Sequence, residues 1–558
     1  MSTLLTLHDP ARAAVYYRAG TWRPETMYAL ASRHAHQRSQ AYALRDARRR
    51  ITWSALVDWA DAVATSLHDS GLRPGDRMSV WLPNRLENVV VQLACSRNGY
   101  VCNPSLHQNY TTAEIVALLS RIECRALFAQ PGWGADAAST DIFGDASRLG
   151  HVKAVYALPP LEAGDVSLPD GASAMPMPGA RGSGEQPAPS DNPDQIVYLA
   201  FTSGTTGPPK GVMHSDNTLL ANGRAMVSDW SQNENTVLLS LSPMSHHIGT
   251  VALEQVLVSG CELVMFDPTA GMAALDWIVS TGATYVMGVP THAIDLLQEI
   301  DRRGMTALGS VKVFYMAGAP IPTEVARRLL ALGAMPQNVY GMTEDGSHQY
   351  TLPTDPIEVI TGTCGKACAG YEVRLWNPEH PDIEAEPGAV GEIGSRGALL
   401  MLGYFNNQSA TENSFNRAGW FLSGDLGRFD AQDNLEIVGR KKDLIIRGGH
   451  NIHPAHIEEY AHRHPAVRKA AAFGVPDERL GEKVCLAIIA PAEAPSGDAM
   501  LQHLASEGLS KFDMPEYFIV VPEFPLTASG KILKRELTQW AREGRLQLQP
   551  VRYRAPQS

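Results

Sequence analysis

Tyr198-Leu199-Ala200-Phe201-Thr202-Ser203-Gly204-Thr205-Thr206-Gly207-Pro208-Pro209-Lys210-Gly211 is the stretch on which the reading of this chain turns. Its apolar start predicts a strand, which runs into a loop holding four hydroxyls, three glycines and a lysine. Glycines let backbone N–H groups converge on an anion, and hydroxyls add donors without bulk, so polyphosphate is the natural guest. It is not a P-loop, because the Gly-x4-Gly-Lys-Ser/Thr spacing is absent and two prolines precede the lysine. A generic Gly/Ser/Thr loop is an ordinary surface turn, but the full string is far more specific than that.

On either side of this loop, strand-like and helix-like segments alternate over the first 440 residues or so. Arg77–Leu82 reads as a short strand after a Gly-Asp turn, and Leu86–Arg97 has helical spacing. Thr111-Thr112-Ala113-Glu114 is a capping box opening an amphipathic helix, and Arg125–Ala129 returns as strand. The rhythm recurs as strand Thr284–Val289, helix Thr291–Arg302, strand Val311–Met316, helix Thr323–Leu332 with Gly333 as its stop, and strand Asn338–Tyr340. Such alternation predicts an α/β fold, a large N-terminal body of parallel-rich sheets flanked by helices. Residues 157–195, rich in Pro, Gly, Ala and Ser, read as a surface connection.

A boundary is expected near Gly439, dividing residues 1–439 from a small, mobile α+β domain over 440–558. Beyond it the pattern predicts helix Pro454–His462, strands Lys469–Gly474 and Val484–Ala490, helix Ala499–Leu504 and strand Phe518–Val521.

Composition narrows the function classes. The 558 residues are 44% hydrophobic and 19% charged, ordinary globular usage. Forty-seven Lys+Arg against 59 Asp+Glu give a net charge of −12, which disfavours nucleic acid or an anionic membrane as a partner held by bulk charge. No apolar run approaches a membrane span, so no integral membrane segment is expected, and the N-terminus has no secretory pattern. Seven scattered cysteines, with only Cys364 and Cys368 close together, make reducing cytoplasm the default.

TSGTTGPPKG matches position by position the signature loop of the adenylate-forming superfamily of acyl-CoA synthetases, luciferases and peptide-synthetase adenylation domains, which this chain resembles. Further matches follow in order: AGAP (317–320), YGMTE (340–344), GEIGSRGALLMLGY (391–404), SGD (423–425), GRKKDLIIRGGHNIHPAHIE (439–458) and PLTASGKILK (525–534). The resemblance implies ATP, Mg²⁺ and coenzyme A as the small molecules used, together with a carboxylic acid. It implies that Thr202, Ser203, Gly204, Thr205, Thr206, Gly207 and Lys210 cradle phosphates, and that Gly318, Ala319, Pro320, Tyr340, Gly341 and Met342 line the adenine side. Thr343 would face the α-phosphate, Asp425 would take both ribose hydroxyls, and Arg440 offers a planar fork to ribose or phosphate oxygens. Glu344 is a hard oxygen ligand suited to Mg²⁺ beside phosphates, with Thr206 as its partner. Lys531 occupies the adenylation-lysine position, Lys442 the hinge, and Gly448-Gly449 the thiol tunnel.

Read on their own, several of these residues have plainer roles: Asp425 a turn residue capping its own backbone, Tyr340 a core tyrosine, Gly448-Gly449 a hairpin turn. His246 and His247, adjacent on what reads as an extended segment, point to opposite sides and cannot both grip one metal. His246 aligns with the family's gate beside the acyl carboxylate, while His247 reads as a packed histidine. Met244, His246, His247, Gly249, Met316, Ala317, Gly318, Gly341 and Met342 are the expected acyl-pocket residues, mostly small or apolar, which favours a compact apolar acid.

A carboxylate–CoA ligase is therefore expected, of a kind similar to bacterial ligases for cyclohexanecarboxylate and related alicyclic or aromatic acids. An acyl-AMP ligase loading a carrier protein is the alternative. Met244-Ser245-His246 replaces the Phe-Asp pair of peptide-synthetase domains, and with about 20 residues after the Lys531 motif helix a carrier domain is not expected. A non-catalytic nucleotide sensor would be expected to have lost Lys531, Glu344 or Asp425, and a metal hydrolase would need a ligand set such as HExxH. Oligomeric state is not readable here, and a homodimer is allowed for.

Overall fold

The computed structural model describes residues 5–162, 167–180, 187–202, 209–319, 321–490, 494–527 and 531–553. Its largest layer is a nine-stranded sheet. Six central strands run parallel, in the spatial order Met335–Met342, Val313–Met316, Tyr285–Gly288, Val237–Ser240, Glu262–Met265 and Tyr42–Arg45, with antiparallel strands at both edges. A second, seven-stranded sheet is parallel except for Lys210–Ser215, which folds back on Ile196–Thr202 as a hairpin. The segment read as a plain surface connection contributes Ser173–Ala174 to this sheet, paired beside Ala154–Ala157. Two residues in register are too few to show a period in the sequence.

One hydrophobic core joins the two sheets through the helices Leu86–Asn98, Asp216–Asp229 and His247–Ser259. Every residue of Leu86–Asn98 is buried, so its polar side chains need partners inside the protein. Burial alone would raise the Glu87 carboxyl, but the guanidinium groups of Arg49 and Arg85 hold it down to about 2. The expected capping box is present at Thr111, whose hydroxyl accepts from the Glu114 N–H while the Glu114 carboxylate takes the Thr111 N–H.

Beyond a four-stranded antiparallel sheet that ends at Arg440, a short 3-10 turn, Lys441–Asp443, leads into a separate mixed sheet. In its central strand, Gly481–Ile489, side chains alternate between two cores. Val484, Leu486 and Ile488 face the helices Pro454–His462 and Gly497–Ser506, while Cys485 and Ala487 face Lys534–Arg542. That is why Val484–Ala490 reads as an uninterrupted apolar run: both faces are covered. Among the described residues, no hydrophobic cluster crosses residue 440. Charges cross instead: Arg468 and Lys469 reach Asp295 of the helix Pro290–Arg303 at 2.7 and 3.5 Å, and Lys441 lies 3.3 Å from Glu392.

Candidate active site

The strand Met335–Met342 turns into Gly346–Tyr350 through the YGMTE motif. A Cβ on Gly341 would stand 1.8 Å from the Gly346 carbonyl oxygen, so the hairpin itself demands glycine there. The Asp345 carboxylate fixes the turn by accepting the Met342 N–H and the Ser395 hydroxyl, both at 3.0 Å. The Thr343 carbonyl lies 2.7 Å from His214 Nε2. Glu344 is buried and accepts the Tyr404 hydroxyl at 3.0 Å, and the Lys210 ammonium sits 4.6 Å over the Tyr404 ring. Burial pushes the Glu344 carboxyl up, the Tyr404 hydrogen bond and the charge of Lys210 acting against it.

Asp425 lies in the middle of the strand Phe421–Phe429, 6% exposed, and in register with Arg440 on the next strand. It is therefore a strand residue and not a turn cap. Arg440 Nε meets one carboxylate oxygen at 2.9 Å, and the Tyr340 hydroxyl donates to the other at 3.1 Å. Tyr340 is itself buried, its ring edge-on to His348.

Lys531 comes to this place from the other side of residue 440. Its backbone is held by Thr527, whose N–H donates to the Lys531 carbonyl at 2.8 Å while Lys531 N–H donates to the Thr527 hydroxyl at 3.0 Å. Burial and then the positive charge of Arg440 push its ammonium down to about 8, with Asp425 and Glu344 pulling the other way. Gly318 has φ +88°, and a Cβ there would meet Lys531 Cε at 3.0 Å. The positive φ calls for glycine, and a methyl group there would make the lysine shift by a few tenths of an ångström. Gly318→Ala should lower adenylate formation about tenfold because its methyl group crowds the lysine, while the left-handed alanine, at roughly 1–2 kcal/mol, lowers stability instead. In a Lys531→Ala background the same substitution should cost little more. Full additivity of the two losses in a double-mutant cycle would show that Gly318 does not act through Lys531.

His246 and His247 are not on an extended segment. His246 is the N-cap of His247–Ser259, its Nδ1 accepting the Ile248 N–H at 3.4 Å. Burial and then the charge of Lys531 hold His246 well below the usual histidine range. His247 Nδ1 lies 3.2 Å from the Tyr198 hydroxyl and its ring stacks on His214, as a packed histidine would, with burial lowering it to about 3. Gly249 is glycine because a Cβ would stand 2.7 Å from the Pro243 carbonyl and 2.8 Å from Met244 Cα. Met244 is buried beside it, its N–H held by Asn84 at 2.7 Å. Of the two strand-end residues expected in the acyl pocket, Ala317 shares the core layer of the His247–Ser259 helix. Met316 packs in the opposite layer with Phe314 and Leu329, because successive strand residues alternate faces.

Thr202 ends its strand opposite Lys210, while Ser203, Gly204, Thr205, Thr206, Gly207 and Pro320 lie outside the described residues. Ala319 follows Gly318 at the half-buried rim, and Met342 packs between two small core clusters. Lys442 lies within the Lys441–Asp443 turn. Gly448 and Gly449, with φ +58° and +84°, form the two-residue turn of a hairpin, exposed and not brought to the site. Three site residues escaped the sequence reading: Tyr404 on Glu344, and His107 and His292, near enough to His246 that their protonation would disfavour its own. His107 follows the parallel strand Val101–Asn103 and His292 follows Tyr285–Gly288. Position beyond the carboxyl ends of parallel strands was the available signal.

A family model described as AMP-binding enzyme matches residues 31–405, and one described as AMP-binding enzyme C-terminal domain matches residues 456–531. The chain belongs to the AMP-binding enzyme family. This AMP-binding enzyme is 29% identical over 538 residues to the medium-chain fatty-acid–CoA ligase of Escherichia coli, covering 96% of this chain and 93% of that one. It is 31% identical over 537 residues to the sulfoacetate–CoA ligase of Cupriavidus necator, covering 96% and 98%. Among solved structures it resembles ATP-bound MatB from Rhodopseudomonas palustris, with a TM-score of 0.78 and 28% identity over 92% of this chain and 98% of that one. The enzyme is an acid–thiol ligase: it joins a carboxylic acid to CoA at the expense of ATP, through an acyl-adenylate.

Proposed function

We propose that the enzyme acts on a compact carboxylic acid, and that two units, 1–439 and 440–558, share the chemistry. The observation that carries this reading is the convergence of Lys531, from beyond residue 440, on Asp425, Arg440, Glu344 and His246. In-line attack of a carboxylate on the α-phosphorus brings anions together, and a half-buried ammonium beside them offsets that repulsion in the transition state. Asp425 holds the ribose hydroxyls through its two carboxylate oxygens, oriented by Arg440 and Tyr340. His246 closes the acid's side of the site.

Among the described residues no group of three or more His, Cys, Asp or Glu could hold a metal ion by itself. One buried carboxylate, Glu344, fits an ion held largely by substrate phosphates, as Mg²⁺ is. When bound, Mg²⁺ would neutralise phosphate charge. Glu344 is held by the Tyr404 hydroxyl at 3.0 Å.

For the second step the 440–558 unit turns about Lys442 as a lid, bringing Gly448-Gly449 to line the path of the thiol; their exposure here is compatible with that. Seven free cysteines, six of them buried, support a reducing compartment such as cytoplasm. No helix among the described residues is long and apolar enough to cross a membrane.

The test is a panel of alicyclic, aromatic and short to medium-chain acids assayed with ATP, with and without Mg²⁺ and CoA. AMP and pyrophosphate are expected only with Mg²⁺, and acyl-CoA only with CoA. Release of ADP and phosphate would overturn the mechanism. Transfer to a carrier protein in preference to CoA would overturn the thiol assignment.

A further inference from the structure

Behind the gate histidine, the helix His247–Ser259 carries a polar stripe into the body of the protein. His247, Thr250 and Glu254 follow one another at helical spacing on one face. Thr250 donates its hydroxyl to Tyr198 at 3.3 Å, and the same Tyr198 oxygen lies 3.2 Å from His247. One turn further on, Glu254 is wholly buried, and among the described residues neither of its carboxyl oxygens has a hydrogen-bond partner.

A second line reaches the same place along a strand. Lys531 passes over Gly318, and Ala317 and Tyr315 precede it with both side chains in the layer that faces the helix. The Tyr315 phenol, bonded to Ser347 at 2.7 Å, is close enough to Glu254 to feel its charge, as is Tyr198. Helix and strand thus both run from Lys531 to Glu254. Seven residues of helix separate His247 from Glu254, about 10 Å of rise, and a glutamate leaning toward the helix N-terminus shortens the gap to roughly the length of a ring acid.

An interior seldom keeps a carboxyl group with neither oxygen bonded unless its partner comes from elsewhere. We propose that Glu254 determines specificity by hydrogen-bonding the far end of the acid, so that the enzyme selects compact carboxylic acids bearing a hydroxyl or amino donor opposite the carboxylate. This rests on the ligase reading above and changes its substrate: the expected apolar wall ends on an acid. Burial favours the protonated form of Glu254, which donates as well as accepts, and an amine would draw its proton to form a buried ion pair.

The experiment compares kcat/KM, by AMP release, for p-toluate, p-hydroxybenzoate and p-aminobenzoate, and for hexanoate against ω-hydroxyhexanoate. Wild type should prefer a donor-bearing acid to its methyl-ended match by at least ~10²-fold, the scale on which sites built to bond a polar group reject analogues lacking it. Glu254→Leu should abolish or invert that ratio. Glu254→Gln should keep the preference for hydroxyl and lose that for amine, and it serves should the leucine variant not fold. A purely structural glutamate, or one bonded only to buried water, would leave the ratio near one in wild type or unchanged in the leucine variant, and either result overturns the proposal. Failure of the ligase reading looks different: no acid would release AMP with wild type, and both readings would fall together.

Discussion

Lys531→Ala is expected to cut adenylate formation by at least ~10²–10³-fold, the scale for removing one preorganised electrostatic donor, while thioester formation from supplied acyl-adenylate stays nearly intact. The asymmetry follows from where the lysine sits. It is half-buried, within electrostatic reach of Asp425, Arg440 and Glu344, and it comes to them from the far side of residue 440. Gly448 and Gly449 are exposed elsewhere, so if they line the thiol path as proposed, a second pose of the 440–558 segment is needed for the second half-reaction. Because burial brings Lys531 down to about 8, its charged form prevails below that pH and is lost above it. The kcat/KM of adenylation, which reports the free enzyme, should therefore fall as pH rises through about 8, and Lys531→Arg should remove that limb. Pre-steady-state measurement of the two half-reactions decides the matter. Equal damage to both would defeat the alternating lid.

Asp425→Ala should lower kcat/KM for ATP by well over tenfold. Two hydrogen bonds from ribose to a charged acceptor are lost, at about 1.5–3 kcal/mol each. A second consequence has a definite sign. Asp425 is the group that most strongly raises Lys531, so its removal should move the alkaline limb of the adenylation profile to lower pH. Tyr340→Phe should have a smaller effect of the same kind, since it removes only one donor to Asp425. An unchanged ATP KM and kcat in Asp425→Ala would mean that the carboxylate merely closes the sheet with Arg440.

Much of this was legible in the chain because local signals and tertiary packing agree. The helix Pro454–His462 begins at a proline and ends where predicted, and the capping box at Thr111 opens its helix. The strand Lys469–Asp477 outran its reading because Pro476 still pairs with Glu482 in the hairpin, at an edge where a proline is tolerated. The segment through His246 and His247 reads as extended where it opens a helix, because histidine is a rare N-cap and the helix start one residue further on carries no sequence signal. Met316 was assigned by motif position where strand parity, which places it opposite Tyr315 and Ala317, would have excluded it. Glu254 was passed over as the one acid in an apolar run. Only tertiary structure shows that its helix has no solvent-facing side at that level.

The segregation of apolar cores on either side of residue 440 has a thermodynamic consequence. If the 440–558 segment swings as proposed and leaves each hydrophobic cluster of the described residues intact, little oily surface is exposed, so the heat-capacity difference between the two proposed orientations should be small. What changes is the company of charges such as Asp295 with Arg468 and Lys469. The balance between orientations should therefore respond to ionic strength, with a Debye length of roughly 8 Å at physiological salt, more than to temperature. Departure of pyrophosphate, which removes several negative charges at once, then becomes a natural trigger for the turn.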